Sequence, residues 1–162
     1  MTSTKTLVHA FVTSKLDNLN SLLYGLSDKL INKLQRVLNA AARLVTGMKK
    51  FDHITPVLKK LHWLPIRQRI NYKLLLLTYK ALNGQGPEYL KELLTPAAGL
   101  RSKEKLLLKT ASTKLVTYGD RAFSATAPKL WNSLPNELRK SKSTDIFKNK
   151  LKTHLFNLAF NN

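Results

Sequence analysis

Apolar residues recur at spacings of three and four along most of this 162-residue chain. This period is typical of helices that bury one side. Gly and Pro interrupt the pattern at intervals, where helices commonly end or begin, and no internal repeat is visible. The sequence therefore predicts a mainly α-helical, bundle-like fold with at most one small β-hairpin, and it leaves room for two helical subdomains.

The clearest predicted helix follows a first helical segment at about residues 4–24, which Gly25 ends. Ser27 is the expected N-cap, because its hydroxyl can accept a hydrogen bond from a free amide of the first turn. Gly47 stands where a left-handed C-terminal residue is wanted. The predicted buried stripe of this helix is Leu30, Leu34, Val37, Leu38, Ala41, Leu44 and Val45.

Proline marks several of the later helix starts. Pro56, after Thr55, predicts a short helix, and Pro65 predicts the start of a long one at residues 66–83. That long segment is apolar on several faces, which is typical of a buried helix. Residues 83–87 break it, and Pro87 opens a short helix to about residue 94.

The second half of the chain contains a predicted loop, a hairpin and further helices. Residues 95–103 lack periodicity, which predicts two subdomains, 1–94 and 104–162, joined by this loop. Apolar runs at 106–108 and 114–116 predict a small hairpin. Asp120 is the expected N-cap of a helix that Pro128 kinks or restarts. A last helix at 145–159 has the predicted inner face Phe147, Leu151, Leu155 and Leu158.

Composition narrows the chemistry. The chain has no Cys, which excludes a disulfide scaffold, a Cys-based zinc site, an iron–sulfur cluster and a thiol nucleophile. The 28 Lys and Arg against 9 Asp and Glu give a formal net charge of +19. Residues 1–83 carry 14 basic and 3 acidic groups, and residues 84–162 carry 14 and 6. The charge is thus spread over the folded body and does not come from a basic tail.

Such a charge indicates an anionic partner. Nucleic acid is the first candidate and an anionic membrane surface is the second, since a basic amphipathic helix can lie on a bilayer. The longest apolar run, residues 74–77, is far shorter than the roughly 20 residues that span a membrane. We expect no membrane span.

Catalytic patterns are missing from the sequence. No two of the nine acidic residues are adjacent, so a paired-carboxylate site for metal ions is not expected. The four histidines show no metal-ligand spacing, and no nucleophile elbow, phosphate loop or dinucleotide-binding motif is present. We expect no enzyme activity, no metal and no cofactor for this chain alone.

Three basic clusters are candidates for phosphate contacts. One lies along the helix at 28–46, a second lies between Lys49 and Lys73 among aromatic residues, and the third precedes the last helix. The alternative for the first and third clusters is ordinary solvated surface. We expect Trp63 and Trp131 to lie in the core and not to stack on bases. The candidate contacts with nucleic acid are Lys29, Lys33, Arg36, Arg43, Lys49, Lys50, Lys59, Lys60, Arg67, Arg69, Lys73, Arg139, Lys140 and Lys142.

Several strings, taken in order, carry a resemblance. They are LVHAFVTS at 7–14, NSLLYGL at 20–26, LQRV at 34–37, NAAARLV at 39–45, HITP at 53–56, LHWLPIR at 61–67, GDRAF at 119–123, APKLWNSLP at 127–135 and LKTHLF at 151–156. In this order they resemble the C-terminal part of the reverse-transcriptase polyprotein of LINE-type non-LTR retrotransposons. The resemblance extends over about residues 2–160.

The resemblance implies a thumb-like helical region, at 1–94, and the helical extension that follows the thumb. In that family an endonuclease and a polymerase palm lie upstream, and the palm's Tyr-x-Asp-Asp motif has no counterpart in this sequence. The chain departs from the family at 17–19, where Asp-Asn-Leu replaces the common Asp-Tyr-Cys. Without Cys it also lacks the zinc knuckle found at the end of some LINE polyproteins.

The resulting hypothesis is a non-catalytic, sequence-tolerant nucleic-acid-binding part of a retrotransposon reverse transcriptase. Its partner would be RNA, DNA or an RNA–DNA primer–template, and the upstream palm is a further expected partner. The alternative is a remnant or domesticated fragment that acts only as a helical protein-docking module. Either implies an intracellular place, nuclear or cytoplasmic and associated with a ribonucleoprotein.

Overall fold

A computed structural model of the chain describes residues 2–99, 102, 104–111 and 119–161. Helices account for most of these residues, and none of the described residues forms a strand ladder. Among them, Pro96 and Leu108 form an isolated antiparallel β-bridge. The predicted mainly α-helical fold is confirmed.

The described chain groups into two compact units, Met1–Ile70 with His154–Asn162, and Asn71–Thr153. The division at 95–103 made from the sequence stays a prediction, and the contacts group the residues in another way. Two long helices each run from one unit into the other along the chain.

The first unit begins with a helical stretch that is not uniform. Between α1 and α2, residues His9–Thr13 form a π-helical turn. The helix predicted to reach residue 24 ends at Asp17, because Asn18 is extended and Leu19 is left-handed. The helices of this unit are α1 (Thr2–Val8), α2 (Ser14–Asp17), a 3₁₀ turn (Asn20–Leu23), α3 (Asp28–Thr46), α4 (Ile54–Leu61) and the start of α5 (Ile66–Leu82).

The second unit holds the rest of α5 and a set of shorter helices. Pro87 precedes α6, as expected from its fixed φ, and Pro128 lies inside α7. The elements that follow α5 are α6 (Glu88–Glu92), a 3₁₀ turn (Gly119–Arg121), α7 (Phe123–Asn132), α8 (Asn136–Arg139) and α9 (Thr144–Phe160), whose last residues belong to the first unit.

Helix α3 starts and ends where the sequence predicts. Gly47 has φ of +69° and closes the helix, because its amide hydrogen-bonds the Arg43 carbonyl. Ser27 is the N-cap as predicted, and its carbonyl accepts the first intrahelical bonds. Its hydroxyl makes no capping bond, so only that part of the prediction is wrong. Helix α4 begins at Ile54, after the extended residue His53 and two residues ahead of the start that Pro56 predicted.

The buried side of α3 agrees with the predicted stripe at Leu38, Ala41 and Val45 and departs from it elsewhere. Ile31, Leu38 and Val45 are buried with Ala41 and Ala42, and this side contacts α1, the π-helical turn and α4. Leu30, Val37 and Leu44, which were predicted to be inside, are instead 43%, 48% and 66% exposed. The exposed row begins at Leu30 and the buried row at Ile31, and within each row the residues are seven apart. Both rows therefore have the spacing of one helix face.

An aromatic cluster forms the core of the second unit. The rings of Tyr79 and Phe147 stack with centroids 4.2 Å apart, and Trp131 lies 6.0 Å from Phe147. The Tyr79 hydroxyl donates to the Ser141 carbonyl at 2.8 Å, which satisfies its polar end. Burial raises the pKa of Tyr79, because desolvation disfavours the phenolate. Trp131 is buried as predicted, and so is Trp63 in the first unit.

The predicted inner face of the last helix is confirmed in three of its four positions. Phe147, Leu151 and Leu155 are buried, but Leu158 is 46% exposed. The predicted hairpin cannot be followed in the same way, because its second arm at 114–116 lies outside the described residues. Its first arm ends at Leu108, whose backbone pairs with the Asn132 side-chain amide at 2.9 and 2.8 Å.

Candidate nucleic-acid interface

The acidic residues of the first unit are all engaged by neighbours. Asp17 forms an ion pair with Arg69, with Oδ2 and Nη1 2.7 Å apart. Asp28 pairs with Arg67. The Asp52 carboxylate accepts the Lys49 amide at 2.8 Å. The unit contains 12 Lys and Arg against these 3 acids, so most of its positive charge has no acidic counterpart.

One side of α3 collects this excess. Lys29, Lys33 and Arg36 are exposed, and their spacing of four and three residues places them on the side opposite the buried row. None of the three makes an ion pair with a described acidic residue. We call these three residues the α3 basic face.

Contacts between α3 and the start of α5 bring a fourth cation to this region. The Ile66 amide donates to Gln35 Oε1 at 2.9 Å, which holds the first residue of α5 against α3. Arg67, the next residue, then pairs with Asp28 at the first position of α3. Its side chain remains 59% exposed, so the pair is a surface one.

A second basic group lies in the turn after α3. Lys49 and Lys50 are exposed, and Phe51 between them and Asp52 is 91% exposed. The Lys50 ammonium is 5.9 Å from the Phe51 ring centroid. These two lysines therefore lie beside an exposed aromatic side chain, Phe51.

Arg43 is placed differently from the α3 basic face. It is half-buried, and Nη2 donates to the Asp52 carbonyl at 3.3 Å, so the side chain joins the end of α3 to the turn that follows. Its Nε is buried with no hydrogen-bond partner among the described residues. Arg43 supports the turn.

Lys59 and Lys60, on α4, differ in how exposed their side chains are. Lys59 is half-buried: its ammonium donates to Asn161 Oδ1 at 3.3 Å and lies 5.8 Å from the Phe160 ring centroid. Lys60 is exposed. Of the two, Lys60 is the one open to a ligand.

Arg69 is committed to the fold of the first unit. Its side chain is only 12% exposed, and Nη1 reaches both Asp17 oxygens, at 3.0 and 2.7 Å. Its Nε also donates to the Leu64 carbonyl at 2.8 Å. We therefore do not retain it among the phosphate contacts.

Arg139 is likewise placed inside the second unit and not at its surface. It is 7% exposed, and its guanidinium donates to the carbonyls of Lys105 (2.8 Å), Asn132 (3.2 Å) and Leu134. Burial lowers the pKa of Arg139, since desolvation disfavours its charged form. The predicted phosphate contact is replaced by a structural role. The other predicted residues of this unit, Lys73, Lys140 and Lys142, are exposed.

The structure also reveals a surface feature that the sequence analysis assigned to the core. Leu30, Val37 and Leu44 recur every seven residues, which aligns them along α3 beside the α3 basic face. We call these three residues the α3 apolar row. The signal for it was present as an uninterrupted seven-residue spacing.

The described residues contain no group of three or more His, Asp or Glu that could hold a metal ion. In the same part of the chain, no helix is both long and apolar enough to cross a membrane. Comparison with protein-family models, with curated proteins and with solved structures gave no match.

Proposed function

We propose that this chain is a sequence-tolerant, non-catalytic nucleic-acid-binding part of a LINE-type retrotransposon reverse transcriptase. The RNA, or the RNA–DNA primer–template, would lie against the α3 basic face. Arg67, which pairs with Asp28 of α3, and the lysines of the turn at 49–52, which follows α3, would add further phosphate contacts. This role would place the chain in a ribonucleoprotein, in the nucleus or the cytoplasm. The proposal has two independent supports, the ordered family strings and the charge distribution of the first unit.

The α3 basic face is the observation that carries the proposal. Exposed helices usually alternate charge sign and so gain favourable i,i+4 pairs. Here Lys29 and Lys33 are four residues apart with like charge, and Arg36 follows three residues later. Lys29 also lies in the first turn of α3, where the helix dipole disfavours cations. Each of these features costs a few tenths of a kcal/mol, so stability does not explain the arrangement.

An anion would reverse these costs. A phosphate backbone offers regularly spaced negative charges, and cations that neutralise them release condensed counterions. Contacts of this kind position a nucleic acid but carry no sequence information. We therefore expect binding that depends strongly on salt and weakly on sequence.

The test is fluorescence anisotropy of the purified chain with labelled single-stranded RNA, duplex DNA and an RNA–DNA hybrid across a salt series. The variant Lys29→Gln, Lys33→Gln, Arg36→Gln removes the α3 basic face. We expect it to reduce the slope of log affinity against log salt by about 2 to 3, since each lost contact removes about 0.7 to 0.9. Its thermal midpoint should stay level or rise, because like-charge repulsion is relieved.

The matched control removes three other exposed lysines, Lys91, Lys150 and Lys152. It has the same net charge as the test variant, so it separates a local face from the overall charge of +19. Equal loss of affinity in both variants would remove the α3 basic face from the proposal. A log affinity that stays flat against log salt would remove the phosphate mechanism itself.

The α3 apolar row favours a second candidate function, docking on another protein. Three aligned, half-exposed aliphatic side chains form a small apolar strip of the kind that helical partners cover. In this alternative the chain would be a retroelement fragment whose partner is the polymerase palm. A folded chain that binds no nucleic acid even at low salt would favour this second candidate.

A further inference from the structure

The turn that follows α3 holds its shape through its own hydrogen bonds. The Asp52 amide donates to the Lys49 carbonyl at 3.2 Å, and the Lys49 amide donates to Asp52 Oδ2 at 2.8 Å. Arg43 adds a third bond, from Nη2 to the Asp52 carbonyl. With Gly47 closing the helix just before it, the turn is anchored to α3.

This anchored turn presents an aromatic ring to solvent. Phe51 is 91% exposed, more than any other large hydrophobic residue among those described. The Lys50 ammonium lies over the ring, 5.9 Å from its centroid. Because the side chain is so exposed, most of the ring surface is open to a ligand.

The charges around the ring limit what that ligand can be. Lys49 and Lys50 are exposed. Asp52 is the single acidic residue of the turn, and its carboxylate accepts a hydrogen bond from the Lys49 amide. The ring thus offers a π surface next to two exposed lysines. A nucleobase between two phosphates has the matching features, a flat face and flanking negative charge.

Within nucleic acids, only some bases present such a face. A base inside a duplex is covered on both sides by its stacked neighbours, whereas a base in a single strand, a loop or an overhang can stack on a side chain. We propose that Phe51 stacks on an unpaired base, with Lys49 and Lys50 on the adjacent phosphates. This inference rests on the proposed nucleic-acid function and specifies its substrate: strands with unpaired nucleotides.

The test compares Phe51→Ala, Phe51→Leu and Phe51→Trp with the parent chain, using anisotropy with a labelled 12-nucleotide single-stranded RNA and with a blunt-ended RNA duplex, which has no unpaired bases. Stacking on one base is worth about fivefold to 150-fold in affinity. We expect Phe51→Ala and Phe51→Leu to weaken binding of the single strand by at least fivefold and of the blunt-ended duplex by less than twofold. Phe51→Trp should retain binding, and its indole fluorescence should be quenched by the single strand.

An abasic oligonucleotide gives an independent readout, because it keeps the phosphates and lacks the bases. The affinity of the parent chain for the abasic oligonucleotide should be as low as the affinity of Phe51→Ala for the single-stranded RNA. Phe51→Ala should bind the abasic oligonucleotide and the RNA with equal affinity. The variant Lys49→Gln, Lys50→Gln should lower the salt slope for the single strand by about 1.4. Because Phe51 is exposed, these variants should fold, which circular dichroism checks.

Failure of this inference differs from failure of the proposed function. If the parent chain binds no nucleic acid, the proposed function fails and the inference fails with it. If the parent chain binds with a steep salt slope and Phe51→Ala binds every ligand equally well, only the inference is overturned. If Phe51→Leu binds the single-stranded RNA as tightly as the parent chain, and both bind vesicles of phosphatidylcholine and phosphatidylserine, the side chain at position 51 inserts into a membrane as an apolar group. That result would also overturn the inference.

Discussion

At the scale of single residues, three of the described arginines show two different roles of the guanidinium group. Arg36 is exposed on α3, while Arg69 and Arg139 are enclosed by hydrogen-bond acceptors. Arg139 is the clearer case, because its acceptors are backbone carbonyls near the ends of α7 and in the segment at 104–111. A planar guanidinium can reach acceptors on two sides at once, and an ammonium cannot.

We expect Arg139→Lys to lower the free energy of unfolding by about 2 to 3 kcal/mol, because buried carbonyls on at least one side would lose their donor. Urea unfolding measures this. The control is Arg36→Lys on the exposed side of α3, which should change the free energy by less than about 0.5 kcal/mol. Equal stability of the two variants would show that the guanidinium contacts of Arg139 do not support the fold.

The placement of Arg139 also shows what the sequence could not provide. The residue belongs to a run with Lys140 and Lys142, and such a run usually lies at the surface. Its acceptors come from residues 5, 7 and 34 positions earlier, and the farthest of them leaves no local signal. Gly47 is the opposite case, because a left-handed C-terminal residue is a local requirement and was predicted correctly.

At the scale of elements, α3 shows why its existence was predicted and its orientation was not. Its length and its end follow from helical spacing and from Gly47. The rows that begin at Leu30 and Ile31 are about 100° apart around the helix, and both are apolar. Spacing alone does not decide which row is inside; contacts of α3 with α1 and α4 decide it.

The two rows differ in their expected energetics. Leu38→Ala should lower the free energy of unfolding by about 2 to 5 kcal/mol, because Leu38 is fully buried and its truncation leaves a cavity. Leu44→Ala, in the same helix but 66% exposed, is the matched control and should cost less than about 1 kcal/mol. Thermal or urea unfolding of both variants measures the difference, and a loss for Leu44→Ala as large as that for Leu38→Ala would mean that Leu44 is buried, as the sequence predicted.

At the scale of the whole molecule, the composition can be read directly from the sequence, whereas the grouping of residues into compact units cannot. Charge and the missing cysteines are properties of composition, and they limited the function before any fold was known. The grouping of residues 154–162 with the first unit depends on contacts across about a hundred positions, such as Lys59 with Asn161. No local sequence pattern predicts a discontinuous unit of this kind.

The α3 apolar row beside the α3 basic face has a consequence for the colloidal behaviour of the chain. In dilute salt, repulsion between molecules of charge +19 should keep copies apart. At about 1 M salt the screening length falls to roughly 3 Å, and the aliphatic strips of two copies can meet. We expect light scattering to show a larger mass at high than at low ionic strength, and Leu30→Ser with Val37→Ser to abolish the increase. Concentrated salt, the usual means of stripping nucleic acid from a basic protein, would then be the condition in which this one is least monodisperse.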